Sequence, residues 1–178
     1  MKRFAMAVCA LLLAVACDDG PTSPAPGTPQ PNQVNFTAAL STANEVPPIT
    51  NAESGGRGEA RIQMNLTRDA AGAITNATWN FVFDVTGLPA GTLITLAHIH
   101  DGAPGIIGPV VVNSGLSPAN GVLLQTGAQS NLTYNNLSAN NAATLAQRIL
   151  DNPNGFYFNV HTQLNGGGVV RGPLVRLP

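Results

Sequence analysis

The segment Glu59-Ala60-Arg61-Ile62-Gln63-Met64-Asn65-Leu66 decides the fold class. Side chains alternate across a strand, so Ala60, Ile62, Met64 and Leu66 point one way and Glu59, Arg61, Gln63 and Asn65 the other. That is a half-buried strand with a wet outer face. The same period of two continues to either side. Upstream, Phe36, Ala38 and Leu40 alternate with Thr37 and Ala39; downstream, Trp79, Phe81, Phe83 and Val85 share a face opposite Asn80 and Asp84. Further strands are expected at Thr92–His100, Gly108–Val112, Val122–Gln125, Gln129–Tyr134, Phe156–Thr162 and Val169–Leu177. Turn-forming runs separate them: Gly55-Gly56, Ala71-Gly72, Gly87-Leu88-Pro89, Asp101-Gly102 and Gly166-Gly167-Gly168. One stretch changes period. Ala142, Leu145, Ala146, Ile149 and Leu150 recur at helical spacing, with Ser138 or Asn140 available as N-cap and Asn152-Pro153 as the stop. One short helix among eight or nine strands reads as an all-β protein, an antiparallel, Greek-key-like β-sandwich with a single helical connection.

Composition agrees with that reading. Of 178 residues 44% are apolar and only 10% charged, with 19 Gly and 14 Pro. Coiled coils need far more Glu, Lys and Leu, and a wholly disordered chain would carry more charge and fewer apolar runs. The length suits one domain with appendages.

The appendages lie at the front. Lys2 and Arg3 precede an unbroken apolar run from Phe4 to Ala16. Thirteen residues at ~1.5 Å each reach about 20 Å, short of the ~30 Å hydrocarbon core of a bilayer. Residues 1–16 therefore read as a secretory signal peptide and not as a membrane span. Ala14-Val15-Ala16-Cys17 resembles the bacterial lipoprotein cleavage box, apart from Ala14, where that pattern most often has Leu. The resemblance implies cleavage before Cys17 and lipidation of its thiol and new amino end; the alternative is an ordinary signal peptide with Cys17 incidental. Residues 17–33 then form the lipidated Cys and a tether holding Pro21, Pro24, Pro26, Pro29 and Pro31. Proline fixes φ and lacks a donor, so sixteen such residues at ~3.1 Å each make a spacer of up to about 50 Å. The folded domain is expected over 34–178. Removing the leader discards Cys9 and leaves a single Cys, so an intramolecular disulfide is not expected. It also leaves six Arg, no Lys and nine acidic residues, a formal charge of −3. Six scattered Arg build no groove for nucleic acid. The expected location is the cell envelope, periplasm or cell surface, with the lipid as the only membrane contact.

The chain has three His, and all fall on expected strands: His98 and His100 in Leu96-Ala97-His98-Ile99-His100, and His161 in Tyr157-Phe158-Asn159-Val160-His161. Positions i and i+2 of a strand share a face with Cα atoms ~6.6 Å apart, so two imidazoles there can lean onto one ion at ~2.0–2.1 Å per bond. A third His from another strand would complete a three-nitrogen site suited to copper, with zinc second. Protonated imidazole does not ligate, so affinity is expected to weaken near pH 5–6. The competing reading makes all three structural, hydrogen-bonded to backbone carbonyls or a carboxylate.

The same residues carry a family resemblance. Phe36-Thr37-Ala38-Ala39-Leu40, Asn44-Glu45-Val46-Pro47-Pro48, Ala97-His98-Ile99-His100-Asp101-Gly102, Phe156-Tyr157-Phe158-Asn159-Val160-His161-Thr162 and Val170-Arg171-Gly172-Pro173-Leu174 resemble, in order, blocks of the CHRD domain, named from chordin. Together the blocks span nearly all of 34–178. Val170 and Pro173 depart from the pattern, which often has Ile and a polar residue there. The resemblance implies an exported domain and makes Glu45, His98, His100, His161 and Arg171 the family-pattern polar residues. Glu45 and Arg171 are expected to pair or cap loops; in the functional version Glu45 orients an imidazole.

Catalytic templates fail. Gly102-Ala103-Pro104-Gly105-Ile106-Ile107-Gly108 is followed by no helix start or Lys that would cradle a phosphate, and reads as a loop between strands. No Gly-x-Ser-x-Gly elbow and no Cys nucleophile falls in 34–178. The His-x-His pair is similar to part of the copper site of copper-zinc superoxide dismutase, but that enzyme needs more His ligands and a disulfide. The expectation is a non-catalytic binding domain, holding copper or a similar metal, or else binding an envelope protein or glycan with its His structural.

Overall fold

The alternating segments become ten strands: β1 (Gln33–Ser41), β2 (Arg57–Arg68), β3 (Ile74–Thr86), β4 (Thr92–Asp101), β5 (Val110–Asn113), β6 (Val122–Leu124), β7 (Gln129–Leu137), β8 (Phe156–Thr162), β9 (Val170–Pro173) and β10 (Val175–Arg176). These come from a computed structural model that describes residues 31–178. The signal peptide expected over 1–16, Cys17 and nearly all of the tether lie outside the described residues. Among the described residues, no helix is long and apolar enough to cross a membrane.

The first three strands form an antiparallel meander in which Phe36, Ile62 and Phe81 stand side by side. The faces predicted from the sequence are the buried ones: Ala60, Ile62, Met64 and Leu66 on β2, Trp79, Phe81, Phe83 and Val85 on β3. The strand order is β5-β4-β8-β9-β1-β2-β3-β7, with β10 added to β1 and β6 to β4. Every pairing is antiparallel.

The sandwich is built from one sheet that folds over on itself, nearly closing like a barrel. Phe158 of β8 meets Phe81 and Phe83 of β3 at centroid distances of 5.1 and 5.3 Å, although β9, β1 and β2 lie between them in the sheet. Edge-on and tilted ring pairs of this kind fill the space between two layers. The C-terminal segment joins the layers. Arg171, Val175 and Arg176 oppose Ser41, Thr37 and Phe36 in a single unbroken register on β1. The sequence suggests one strand over Val169–Leu177. It divides into β9 and β10 because Pro173 has no N–H to give the ladder, and Leu174 donates to Phe156 of β8 instead.

Helix α1 (Ala142–Asp151) lays Leu145, Ala146 and Ile149 on the core. Neither Ser138 nor Asn140 caps it. Asn141 occupies that position in the left-handed conformation at φ 52°, which Asn tolerates better than most residues, and makes no side-chain cap. The helix stops at Asn152, before Pro153, as the sequence requires.

Candidate metal centre

Strand β8 is buried along its whole length, on both faces. Phe158 and Val160 belong to the apolar core; Tyr157, Asn159 and His161 point to the other side, by the alternation of a strand. The antiparallel register sets His98 of β4 opposite Asn159 and His100 opposite Tyr157, while Leu96 faces His161. On the far side of β8, Arg171 of β9 stands opposite Asn159. One patch of sheet thus carries His98, His100, Tyr157, Asn159, His161 and Arg171. Connecting segments cover it, which is why a polar face is buried at all. The carbonyls that its side chains reach belong to Asn44, Ile106, Gly108 and Gly166.

The three His, far apart along the chain, come together. Their ligating nitrogens all lie within 4.8 Å of one another. The His98 ring centroid is 5.4 Å from that of His100 and 4.7 Å from that of His161. All three residues are buried. His100 Nδ1 is 2.9 Å from the Gly108 carbonyl and His161 Nδ1 is 2.9 Å from the Gly166 carbonyl. A carbonyl only accepts, so each Nδ1 carries the proton and donates it, and each neutral ring keeps its lone pair on Nε2. Both Nε2 atoms, and Nδ1 of His98, are sealed from solvent and have no hydrogen-bond partner.

For His100 and His161 this is the arrangement of metal-ligating imidazoles, whose second nitrogen is fixed by a backbone carbonyl. Three donors at ~2.0–2.1 Å from one ion sit about 3.4 Å apart, so the rings need to close by up to about 1.4 Å. Burial outweighs the two carbonyl bonds and lowers the basicity of His100 and His161. Burial, with His161 and His100 beside it, pulls His98 down to about 3. The nitrogens are therefore neutral at pH 7, as ligation requires.

Glu45 and Arg171 do pair, and they do so next to this cluster. Arg171 Nε donates to the Asn44 carbonyl at 2.6 Å and lies 3.6 Å from Glu45 Oε2; its Nη1 donates to the Ile106 carbonyl at 3.1 Å. Both side chains are about 95% buried. Burial pushes the Glu45 carboxyl up to about 7 against the pull of Arg171. The role of orienting an imidazole, considered for Glu45 from the sequence, falls instead to the carbonyls of Gly108 and Gly166. The reason is geometric: the loops over the sheet bring those backbone oxygens onto the rings.

Sequence reasoning passed over Tyr157 and Asn159. The signal was present, since Tyr157, Asn159 and His161 alternate with Phe158 and Val160. Tyr157 stacks on His100, and its hydroxyl accepts from the Gly108 N–H at 3.3 Å. Glu53 was also missed. Its buried Oε2 accepts from Thr162 Oγ1 at 2.6 Å and from Asn165 Nδ2 at 2.5 Å, anchoring the loop that presents Gly166 to His161.

Fold and site together define a β-sandwich domain with a buried three-imidazole cluster. The CHRD domain family matches residues 36–174, and the chain belongs to that family. No curated protein and no solved structure matches the chain.

Proposed function

We propose that this CHRD domain is a non-catalytic, metal-binding module of the cell envelope, holding copper through His98, His100 and His161. The observation that carries the reading is the set of three converging, buried imidazole nitrogens without partners. Leaving three such acceptors unpaired costs roughly 1–3 kcal/mol each, a cost that one bound cation removes for all three. A purely structural His would have both nitrogens satisfied. The sequence around Ala14-Val15-Ala16-Cys17 supports an exported, lipid-anchored protein, with the lipid on Cys17 as its membrane contact.

The test of the metal reading is stoichiometry. The purified protein should retain about one copper per chain at neutral pH, and the His98→Ala, His100→Ala double variant should retain none. Copper bound equally well by that variant would remove the reading. For the anchor, Cys17→Ser should move the protein from the membrane to the soluble envelope fraction.

A second reading, capture of an envelope protein or glycan, is favoured by a cavity of about 430 Å³ beside the cluster, with Glu45, Val46, Pro104, Tyr157 and Arg171 among its walls. Its aromatic side chain is already engaged: His100 stacks on Tyr157, and the Arg171 guanidinium also lies over the ring. That leaves no open aromatic face for a sugar, so within this reading a peptide is the better fit. It predicts that the double His variant loses stability but keeps its partner.

A further inference from the structure

The chemistry of the cluster bears on which ion it takes. Among the described residues, the grouping of potential ligand side chains contains three His and no carboxylate or thiol. All three donors are neutral, so the charge of the ion is not cancelled within the site. The nitrogens are sealed from solvent. Zinc bound by three protein ligands takes water as a fourth, and Cu(II) favours four or more ligands in a tetragonal array. Cu(I), a monovalent ion with a filled d shell, is satisfied by three nitrogens alone.

Electrostatics points the same way. The unfavourable self-energy of a buried ion grows with the square of its charge, so a divalent ion costs roughly four times as much to desolvate as a monovalent one. A fixed cation whose field reaches His100 adds to the bias. The Arg171 guanidinium sits 4.7 Å from the centroid of Tyr157, whose ring stacks on His100 at 4.8 Å. Its field repels a divalent ion twice as strongly as a monovalent one, and Glu45, 3.6 Å from Arg171, offsets that field only when ionised.

From the donor set, its closure to water and the adjacent guanidinium, we infer that this centre is selective for Cu(I) over Cu(II) and Zn(II). The inference rests on the metal-binding reading above and specifies its ion.

The experiment uses the full chain carrying Cys9→Ser and Cys17→Ser, so that no thiol competes for copper. Cu(I) affinity is measured by competition with bicinchoninate under ascorbate, and Cu(II) and Zn(II) affinities by competition with nitrilotriacetate. Cu(I) should bind one per chain and at least about a hundredfold more tightly than either divalent ion. X-ray absorption should show three nitrogens at about 2.0 Å and no fourth light atom. Glu45→Gln, which leaves the Arg171 field uncompensated, should widen the preference for Cu(I) over Zn(II). Divalent ions bound as tightly as Cu(I), a fourth ligand on Cu(I), or a preference narrowed by Glu45→Gln would overturn the inference while leaving a metal site in place. Failure of all three ions to bind would overturn the metal reading itself.

Discussion

His100 lies flat on Tyr157, with ring centroids 4.8 Å apart and planes 9° from parallel, where β4 and β8 place the two residues opposite each other. A short hydrogen-bonded circuit accompanies the stack. The Tyr157 hydroxyl accepts from the Gly108 N–H, and the Gly108 carbonyl accepts from His100 Nδ1. The tyrosine thus holds the residue that holds the imidazole.

Tyr157→Phe keeps the stack and removes one link of that circuit. The part-buried Gly108 N–H is then unpaired, which should cost about 1–2 kcal/mol of stability, read as a lower urea midpoint. Because Gly108 fixes the His100 tautomer, copper affinity should also fall, by about tenfold. Unchanged affinity with the expected loss of stability would show that the circuit supports the fold and not the ion.

The pH dependence follows from opposed groups. Burial depresses all three imidazoles, His98 from 6.5 to about 3. As pH falls through 6.5 the unfolded chain takes up these protons first, so the imidazoles' contribution is complete above 6.5 and is lost on acidification. Glu45, raised from 4.5 to about 7, acts in reverse: its contribution is complete below 4.5 and lost as pH rises through about 7. Between about pH 4 and pH 7 the His98 and Glu45 contributions largely offset each other, so the metal-free protein should gain stability over that window through His100 and His161 and then level off, measured by urea unfolding. Glu45→Gln should raise stability at pH 7.5 and not at pH 4.5. Burial depresses the imidazoles, His98 to about 3, so copper affinity should weaken at a lower pH than it would with ordinary imidazoles. Affinity already collapsing at pH 6 would contradict the buried, neutral state of His98.

Much of the fold was legible because alternation reports directly on burial. On β2 and β3 every residue expected inside is inside, since one face of each strand meets the core and the other meets water. The meeting of His98, His100 and His161 was legible only as a possibility of spacing, because the register between β4 and β8 depends on strands separated by 54 residues. What covers the polar face of β8 was not legible. The Gly102–Pro109 and Gln163–Val169 segments have no periodicity, and their hydrogen bonds to imidazoles come from backbone oxygens, which every residue has. For the same reason the sequence suggested a carboxylate, Glu45, where the protein uses carbonyls. Glu45 is placed by its pairing with Arg171, 126 positions away.

Gly168 marks how tightly the cover is packed. Its φ of +127° is closed to side-chain-bearing residues, and a Cβ there would lie 2.5 Å from Asn159 Nδ2 and 2.9 Å from Glu45 Oε1. Both groups would have to leave the position they share. Gly168→Ala should therefore cost roughly 1–3 kcal/mol from backbone strain alone, and more as Asn159 and Glu45 are displaced. Gly166→Ala is the control, since a Cβ at Gly166 meets nothing within 4 Å. Thermal unfolding of the two variants should separate them, with Gly168→Ala far lower; equal melting temperatures would mean that the loop yields without strain.

Glu53 tests whether a loop anchor can act on the ion at a distance. It makes no hydrogen bond to any His, yet its Oε2 receives Thr162 Oγ1 and Asn165 Nδ2, and Asn165 is held a second time by Asn51 Nδ2 at 2.9 Å. The next residue, Gly166, supplies the carbonyl that fixes His161. Glu53→Gln keeps the size of the side chain but turns two charge-assisted bonds into neutral ones, at about 1–2 kcal/mol. If the loop sets the direction of the His161 lone pair, copper affinity should fall by about tenfold in step with faster amide exchange at Gly166–Gly168. Ser117→Ala, which removes a hydroxyl bond to Asn120 remote from the cluster, should lower stability slightly and leave affinity unchanged. Equal copper affinity in Glu53→Gln and the parent, with the loop exchanging faster, would show that His161 is held by β8 alone.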